Sequence, residues 1–182
     1  MIVTDRDKLV LEFIEQFKIA TTDTIQLLFY PSLRITQRRL KLLVDNKLLK
    51  RDRDTFTSQF YYYIKKPRQL KHSLLLTDFY RELHKISKIE LFKNEFIIED
   101  IRSDGFVAYE YKSKKEIAFI EVELSNKGLD LEKYERLYKS SKYKKYFPIF
   151  PNIIIISNKS IPKTKLKIIK IDESIQGLEL IL

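Results

Sequence analysis

The residues best placed to do chemistry lie in Ile117 to Leu124, IAFIEVEL, and in the Ser103-Asp104-Gly105 that precedes it. Side chains alternate faces along a β-strand, so Ala118, Ile120, Val122 and Leu124 form one apolar face. Glu121 and Glu123 then point together to the other face, roughly 7 Å apart at about 3.3 Å per residue. Asp104 on a neighbouring strand completes a three-carboxylate cluster of the kind that holds a divalent metal over a phosphodiester. The plainer alternative is an amphipathic strand whose outward Glu121 and Glu123 are neutralised by a basic helix or by Arg102.

A second set of residues is basic. Between Ser32 and Arg53, Arg34, Arg38, Arg39, Lys41, Lys47, Lys50, Arg51 and Arg53 stand against only Asp45 and Asp52. Arg34, Arg38 and Lys41 fall at i, i+4 and i+7, so one helix face can enter a major groove. Gln37 adds a side chain able to read adenine bidentately. Lys50, Arg51 and Arg53 would meet phosphates, which adds affinity but little sequence information. The competing readings are a solvated helix face and a protein-binding module. Tyr61 to Tyr63 suit half-buried strand packing better than base stacking.

The elements that must position these residues follow from capping and periodicity. Thr4 or Asp5 caps a first helix with Leu9, Val10, Phe13, Ile14 and Phe17 at helical spacing. Thr21-Thr22-Asp23 opens a short second helix that Pro31 ends. A third runs from Ser32 or Ile35 to Asn46, with Leu40, Leu43, Val44 and Leu48 inward and Arg34, Arg38, Lys41 and Asp45 outward. Leu48 to Arg51 and Gln59 to Ile64, around the polar stretch Asp52 to Thr55, read as a hairpin. Three helices and a hairpin make the plan of a winged helix-turn-helix, with the basic helix as its recognition helix.

Lys65-Lys66-Pro67-Arg68 marks a junction, which gives a winged helix over residues 1–66 and a second domain over 67–182. The latter begins with a helix from His72 to about Ser87. Strands near Glu95 to Glu99, Phe106 to Tyr111 and Ile117 to Leu124 follow, then a helix over Asp130 to Tyr143. Asn152 to Ser157, NIIIIS, is a strand of the doubly buried type. Leu166 to Ile171 and Leu178 to Leu182 are read as further strands. The fold class is therefore α+β, the second domain a mixed sheet with helices packed on it.

Composition narrows the function classes. Basic residues number 35 against 25 acidic, a net charge of +10, which favours polyanionic partners. Three glycines leave no Gly-rich phosphate loop. The absence of cysteine excludes disulfides and thiolate metal sites, and with only His72 and His84 a histidine zinc site is not expected. No apolar run is long enough to span a bilayer, and Met1 to Asp5 opens no signal-peptide pattern, so a soluble cytoplasmic protein without membrane partners is expected.

Taken together, TDRDKLVLEFIEQFKIATTDTIQLLF, QRRLKLLVDNKLLKR, LKHSLLLTDFYRELHK and RSDGFVAYEY…IAFIEVELSNKGLDLEKYERLY resemble the replication-relaxation family of plasmids, phages and conjugative elements, over roughly Thr4 to Ser157. The resemblance implies a winged helix joined to a domain similar to the PD-(D/E)xK nucleases. In that pattern Ser103-Asp104 stands where Pro-Asp is usual, and Glu121-Val122-Glu123 where Glu-x-Lys is usual. Asp104 and Glu121 would then bind Mg²⁺, and Glu123 replaces the lysine that orients the attacking water. Lys133 or Lys139, on the following helix, is the candidate replacement.

The expectation is a DNA-binding accessory protein of a mobile element that acts on double-stranded DNA without catalysis and needs no cofactor for binding. It would assist replication, relaxation or conjugative transfer, beside a relaxase or replication protein, and a homodimer is compatible with it. The alternatives are a Mg²⁺-dependent nuclease or nickase using Asp104, Glu121, Glu123 and Lys133, and a winged-helix repressor.

Overall fold

The structure is a computed structural model that describes residues 2–54, 57–125 and 128–181, with Ile181 described by its backbone alone. Thr55 of the expected turn and Leu182 of the expected last strand lie outside the described residues. The chain divides into two compact units, Met1–Arg81 and Glu82–Leu182.

In the first unit Thr4 opens helix α1 (Asp5–Phe17) with a reciprocal cap: its hydroxyl accepts from the Asp7 amide while the Asp7 carboxylate accepts from the Thr4 amide. Val10, Phe13, Ile14 and Phe17 are buried along one face, and each such side chain contributes roughly 1.5–3 kcal/mol by leaving water. A left-handed Lys18 ends the helix. Strand β1 (Ala20–Thr21) is two residues long, and Thr21 caps helix α2 (Thr22–Phe29). Pro31 separates α2 from helix α3 (Leu33–Asp45), which closes where the Asn46 side-chain amide donates to the Leu42 carbonyl at 2.8 Å. Strands β2 (Lys50–Arg53) and β3 (Phe60–Tyr63) then form an antiparallel sheet of order β1-β3-β2. Arg53, expected in the turn, belongs to β2, and Leu48, expected inward, is exposed.

Helix α4 spans Leu70–Ile86. Its N-terminal part packs on the first unit: Leu70 and Leu74 lie against Ile19, Tyr61 and Tyr63, and the Thr77 hydroxyl donates to the Ile19 carbonyl at 3.0 Å. Tyr80 meets Phe13 and Phe17 edge-on. The junction expected at residues 66–67 therefore lies on the N-terminal side of a helix that mostly belongs to the first unit, because its apolar stripe fits there.

The second unit is a five-stranded mixed sheet of order β4-β5-β6-β7-β8. Strands β4 (Lys88–Ile98), β5 (Ile101–Tyr111) and β6 (Lys114–Val122) form an antiparallel meander. Helix α5 (Glu132–Ser140) and a 3₁₀ turn (Lys142–Lys145) cross over to β7 (Asn152–Ile156), parallel to β6, and β8 (Ile168–Ile171) continues in parallel. Every residue of β7 is buried, as its unbroken apolar run requires. Beneath α5, Tyr134 and Leu137 pack with Phe106, Phe119, Ile153 and Ile155. Gly105 allows close approach of β4, since a Cβ there would stand 3.3 Å from the Lys93 carbonyl oxygen. Leu178–Ile181 is a short helix, α6, where a strand was expected. A four-residue apolar stretch carries no period that separates the two.

Candidate nucleic-acid interface and carboxylate cluster

On α3, Arg34, Gln37, Arg38 and Lys41 are all exposed, as are Lys50, Arg51 and Arg53 on β2. Lys41 is partly spent on Asp45, 2.6 Å away at i+4. The Arg51 and Arg53 guanidinium groups lie over the ring of the partly exposed Phe60, with centroid distances of 4.8 and 5.6 Å. Arg53 also donates to the Ser58 carbonyl at 2.9 Å. These two exposed guanidinium groups are thus held on an aromatic plate. Tyr61, Tyr62 and Tyr63 are buried, which gives them a packing role.

Arg39 departs from its neighbours. It turns inward, forms a two-pronged ion pair with the fully buried Asp7, and also donates to the Ile2 carbonyl. The Tyr30 hydroxyl donates to Asp7 Oδ1 at 2.7 Å. Burial alone would raise the Asp7 carboxyl. The hydrogen bonds from Arg39, the Thr4 amide, Tyr30 and the Thr4 hydroxyl outweigh it and hold the group well below the ordinary carboxylate range. Tyr30 is pushed up by its own burial and by that carboxylate. One carboxylate thereby joins the start of α1, the end of α2 and the exposed helix α3. The sequence offers one signal for it, a T-x-x-D capping pattern, but no signal that the same Asp7 reaches Arg39.

In the second unit Glu121 does not face solvent. It lies on the α5 side of β6 with Phe119 and is buried. Its Oε1 takes the Lys133 ammonium at 2.7 Å and the Tyr134 hydroxyl at 2.5 Å. Lys133 also donates to the Arg102 carbonyl at 2.7 Å. Desolvation raises the Glu121 carboxyl above its usual value, although Lys133 and Tyr134 pull the other way and the charge of Asp104 adds to the rise. The same burial, with Glu121 beside it, pushes the Tyr134 hydroxyl far up, so it remains a donor.

The strand ladder explains Asp104. The β5–β6 pairing ends at Gly105 opposite Ile120, while Glu121 and Val122 stay paired with β7. The Val122 amide therefore points into the gap left by β5, where Asp104 Oδ2 accepts it at 2.8 Å. Glu123 lies past the end of β6. Its amide bonds the Ile156 carbonyl, and its Oε1 accepts from the Ser125 amide at 2.6 Å and hydroxyl at 2.7 Å. Arg102, expected as a partner for Glu121 or Glu123, instead pairs with Glu95 of the adjoining strand β4 at 3.1 Å. Lys139 lies near Glu135 rather than at Glu121.

Of the four residues proposed for catalysis, the fold brings Asp104, Glu121 and Lys133 together, and Glu123 folds back on its own loop. Among the described residues no group of three or more His, Asp or Glu is arranged to hold a metal ion. Lys133 and Tyr134 both engage Glu121 Oε1, and the Val122 amide engages Asp104 Oδ2, so these bonds occupy one oxygen of each carboxylate. The arrangement is two carboxylates with an ammonium at one of them, in place of the three-carboxylate set expected from the sequence. No described helix is long and apolar enough to cross a membrane. The chain matches no protein-family model, no curated protein and no solved structure.

Proposed function

We propose that the chain is a DNA-binding accessory protein of a mobile genetic element. The first unit docks on duplex DNA as a winged helix, and the second is a nuclease-shaped scaffold that assists replication, relaxation or transfer without cutting. The observation that carries this reading is the shared exposure of Arg34, Gln37, Arg38 and Lys41 on α3 and of Lys50, Arg51 and Arg53 on β2. The element order α1-β1-α2-α3-β2-β3 supports it, with α3 in the place of a recognition helix. Gln37 would read a base edge, while the basic side chains meet phosphates.

The meander, the α5 crossover and the parallel β7 support a nuclease-like frame for the second unit. The engagement of Asp104, Glu121 and Glu123 by protein donors supports a non-catalytic one. One observation favours the nuclease alternative: Lys133 brings an ammonium to Glu121 from α5, supplying the lysine that Glu123 displaces.

Fluorescence titration of a labelled duplex against salt tests the principal reading. Arg38→Ala with Lys41→Ala should weaken binding and lower the slope of log affinity on log salt by about 0.9 for each phosphate no longer neutralised. Unchanged affinity and slope in the double variant would overturn it.

A further inference from the structure

A cleft of about 470 Å³ opens between α5 and the β7–β8 connection, lined chiefly by Glu135, Tyr138, Lys139, Lys163, Thr164 and Lys165. Its charge is unbalanced. Glu135 is its one carboxylate, already accepting the Thr164 hydroxyl at 2.8 Å and lying 3.7 Å from Lys139. Lys163 and Lys165 are exposed and have no carboxylate within ion-pair distance among the described residues. Exposed Lys144 and Lys145 follow α5 in the 3₁₀ turn, while Lys142 stands 4.0 Å from Glu99.

The aromatic side chain in this cleft is held in place yet open. Tyr138 is 50% exposed although it is large and apolar. Phe150 meets its ring edge-on at 5.2 Å, and the Tyr143 ring lies parallel to it at 6.1 Å. A ring fixed by its neighbours and open to solvent, in a cleft that Lys163 and Lys165 also line, fits a base face flanked by phosphates. Duplex DNA conceals its base faces in the stack and offers only groove edges and phosphates. A single strand offers both at once.

We propose that this cleft binds single-stranded nucleic acid, with a base stacked on Tyr138 and the adjoining phosphates held by Lys139, Lys163 and Lys165. The site shares no residue with the duplex-binding surface on α3 and β2, and each stands or falls without the other.

The test uses the intact chain and labelled oligo(dT) and oligo(rU) of about 20 nucleotides, long enough for one site of this type, with a duplex in parallel. Binding of either strand is expected. Tyr138→Ala should weaken it by about fivefold to a hundredfold, as removal of one stacked base does, while Tyr138→Phe retains it. Lys163→Ala with Lys165→Ala should lower the salt slope by about 1.4, at about 0.7 for each phosphate neutralised on a single strand. Neither change should alter duplex affinity, and Arg38→Ala with Lys41→Ala should leave single-strand affinity intact. The proposal is overturned if neither oligonucleotide binds, or if affinity survives both Tyr138→Ala and the double lysine variant. It is equally overturned if single-strand binding disappears with Arg38 and Lys41, which would assign it to the first unit.

Discussion

Arg39 and Asp7, 32 positions apart, form a two-pronged ion pair in which the carboxylate is fully buried. Arg39 leaves α3 on a different side from Arg38 and Lys41, so its tether sets the helix's rotation about its own axis. That rotation decides which side chains are presented outward.

Arg39→Ala leaves a buried carboxylate without its cation, and should destabilise the first unit by about 3 kcal/mol. Lys at this position recovers only part, since it lacks the planar fork. In the parent chain the Asp7 carboxyl lies below its unfolded value. Its contribution to stability is therefore present above about pH 4 and lost as the pH falls. Thermal melts of the parent and Asp7→Asn across that range check this: the acid-side loss should be smaller in the variant. Parallel curves would remove Asp7 from the account.

Glu121 has the opposite sign. Its folded carboxyl titrates above the unfolded one, so the protonated form is favoured by folding. Its contribution is complete below about pH 4.5 and declines as the pH rises through the raised folded value. Glu121→Gln should flatten that limb while keeping an acceptor for Tyr134. Melting temperature against pH reads it directly, and a limb that persists unchanged in the variant would assign the titration elsewhere.

Asp45 holds Lys41 by an exposed ion pair near the C-terminal end of α3. A carboxylate there opposes both the helix dipole and an approaching phosphate. Asp45→Asn should tighten duplex binding by about two- to fivefold at low salt, the equivalent of an exposed pair's fraction of a kcal/mol. The gain should shrink as salt is raised. Weaker binding in the variant would show that Lys41 needs Asp45 to hold its position.

Supercoiled plasmid incubated with the chain and Mg²⁺ or Mn²⁺ should remain supercoiled. Nicking that disappears in both Glu121→Gln and Asp104→Asn would establish the nuclease alternative and displace the non-catalytic one.

The sequence made the first unit legible because its information is local. Thr4, Thr21 and Ser32 mark helix starts, Pro31 marks the break, and a 3.6-residue period places Arg34, Arg38 and Lys41 on one side of α3. It did not reveal β1, because two residues carry no period. Strand β4 begins seven residues before the expected Glu95, since Lys88, Glu90 and Lys93 make it look like a loop; it is an edge strand, where charge is tolerated. The carboxylate cluster was only half legible. Alternation put Glu121 opposite Ile120, but burial of that face depends on α5, and no strand pattern encodes the helix above it. Glu123 was misplaced because β6 stops at Val122.

The Asp104–Val122 hydrogen bond bears on how variants of this chain are interpreted. Asp104 completes a ladder whose backbone partner has departed, so its carboxylate is a splice between diverging strands as well as an acidic group. Alanine at this position removes splice and charge together, and a lost phenotype could not be attributed to either. Asparagine keeps a carbonyl oxygen for the Val122 amide and removes only the charge. For this position the conservative substitution is the informative one, and an alanine scan would score architecture as chemistry.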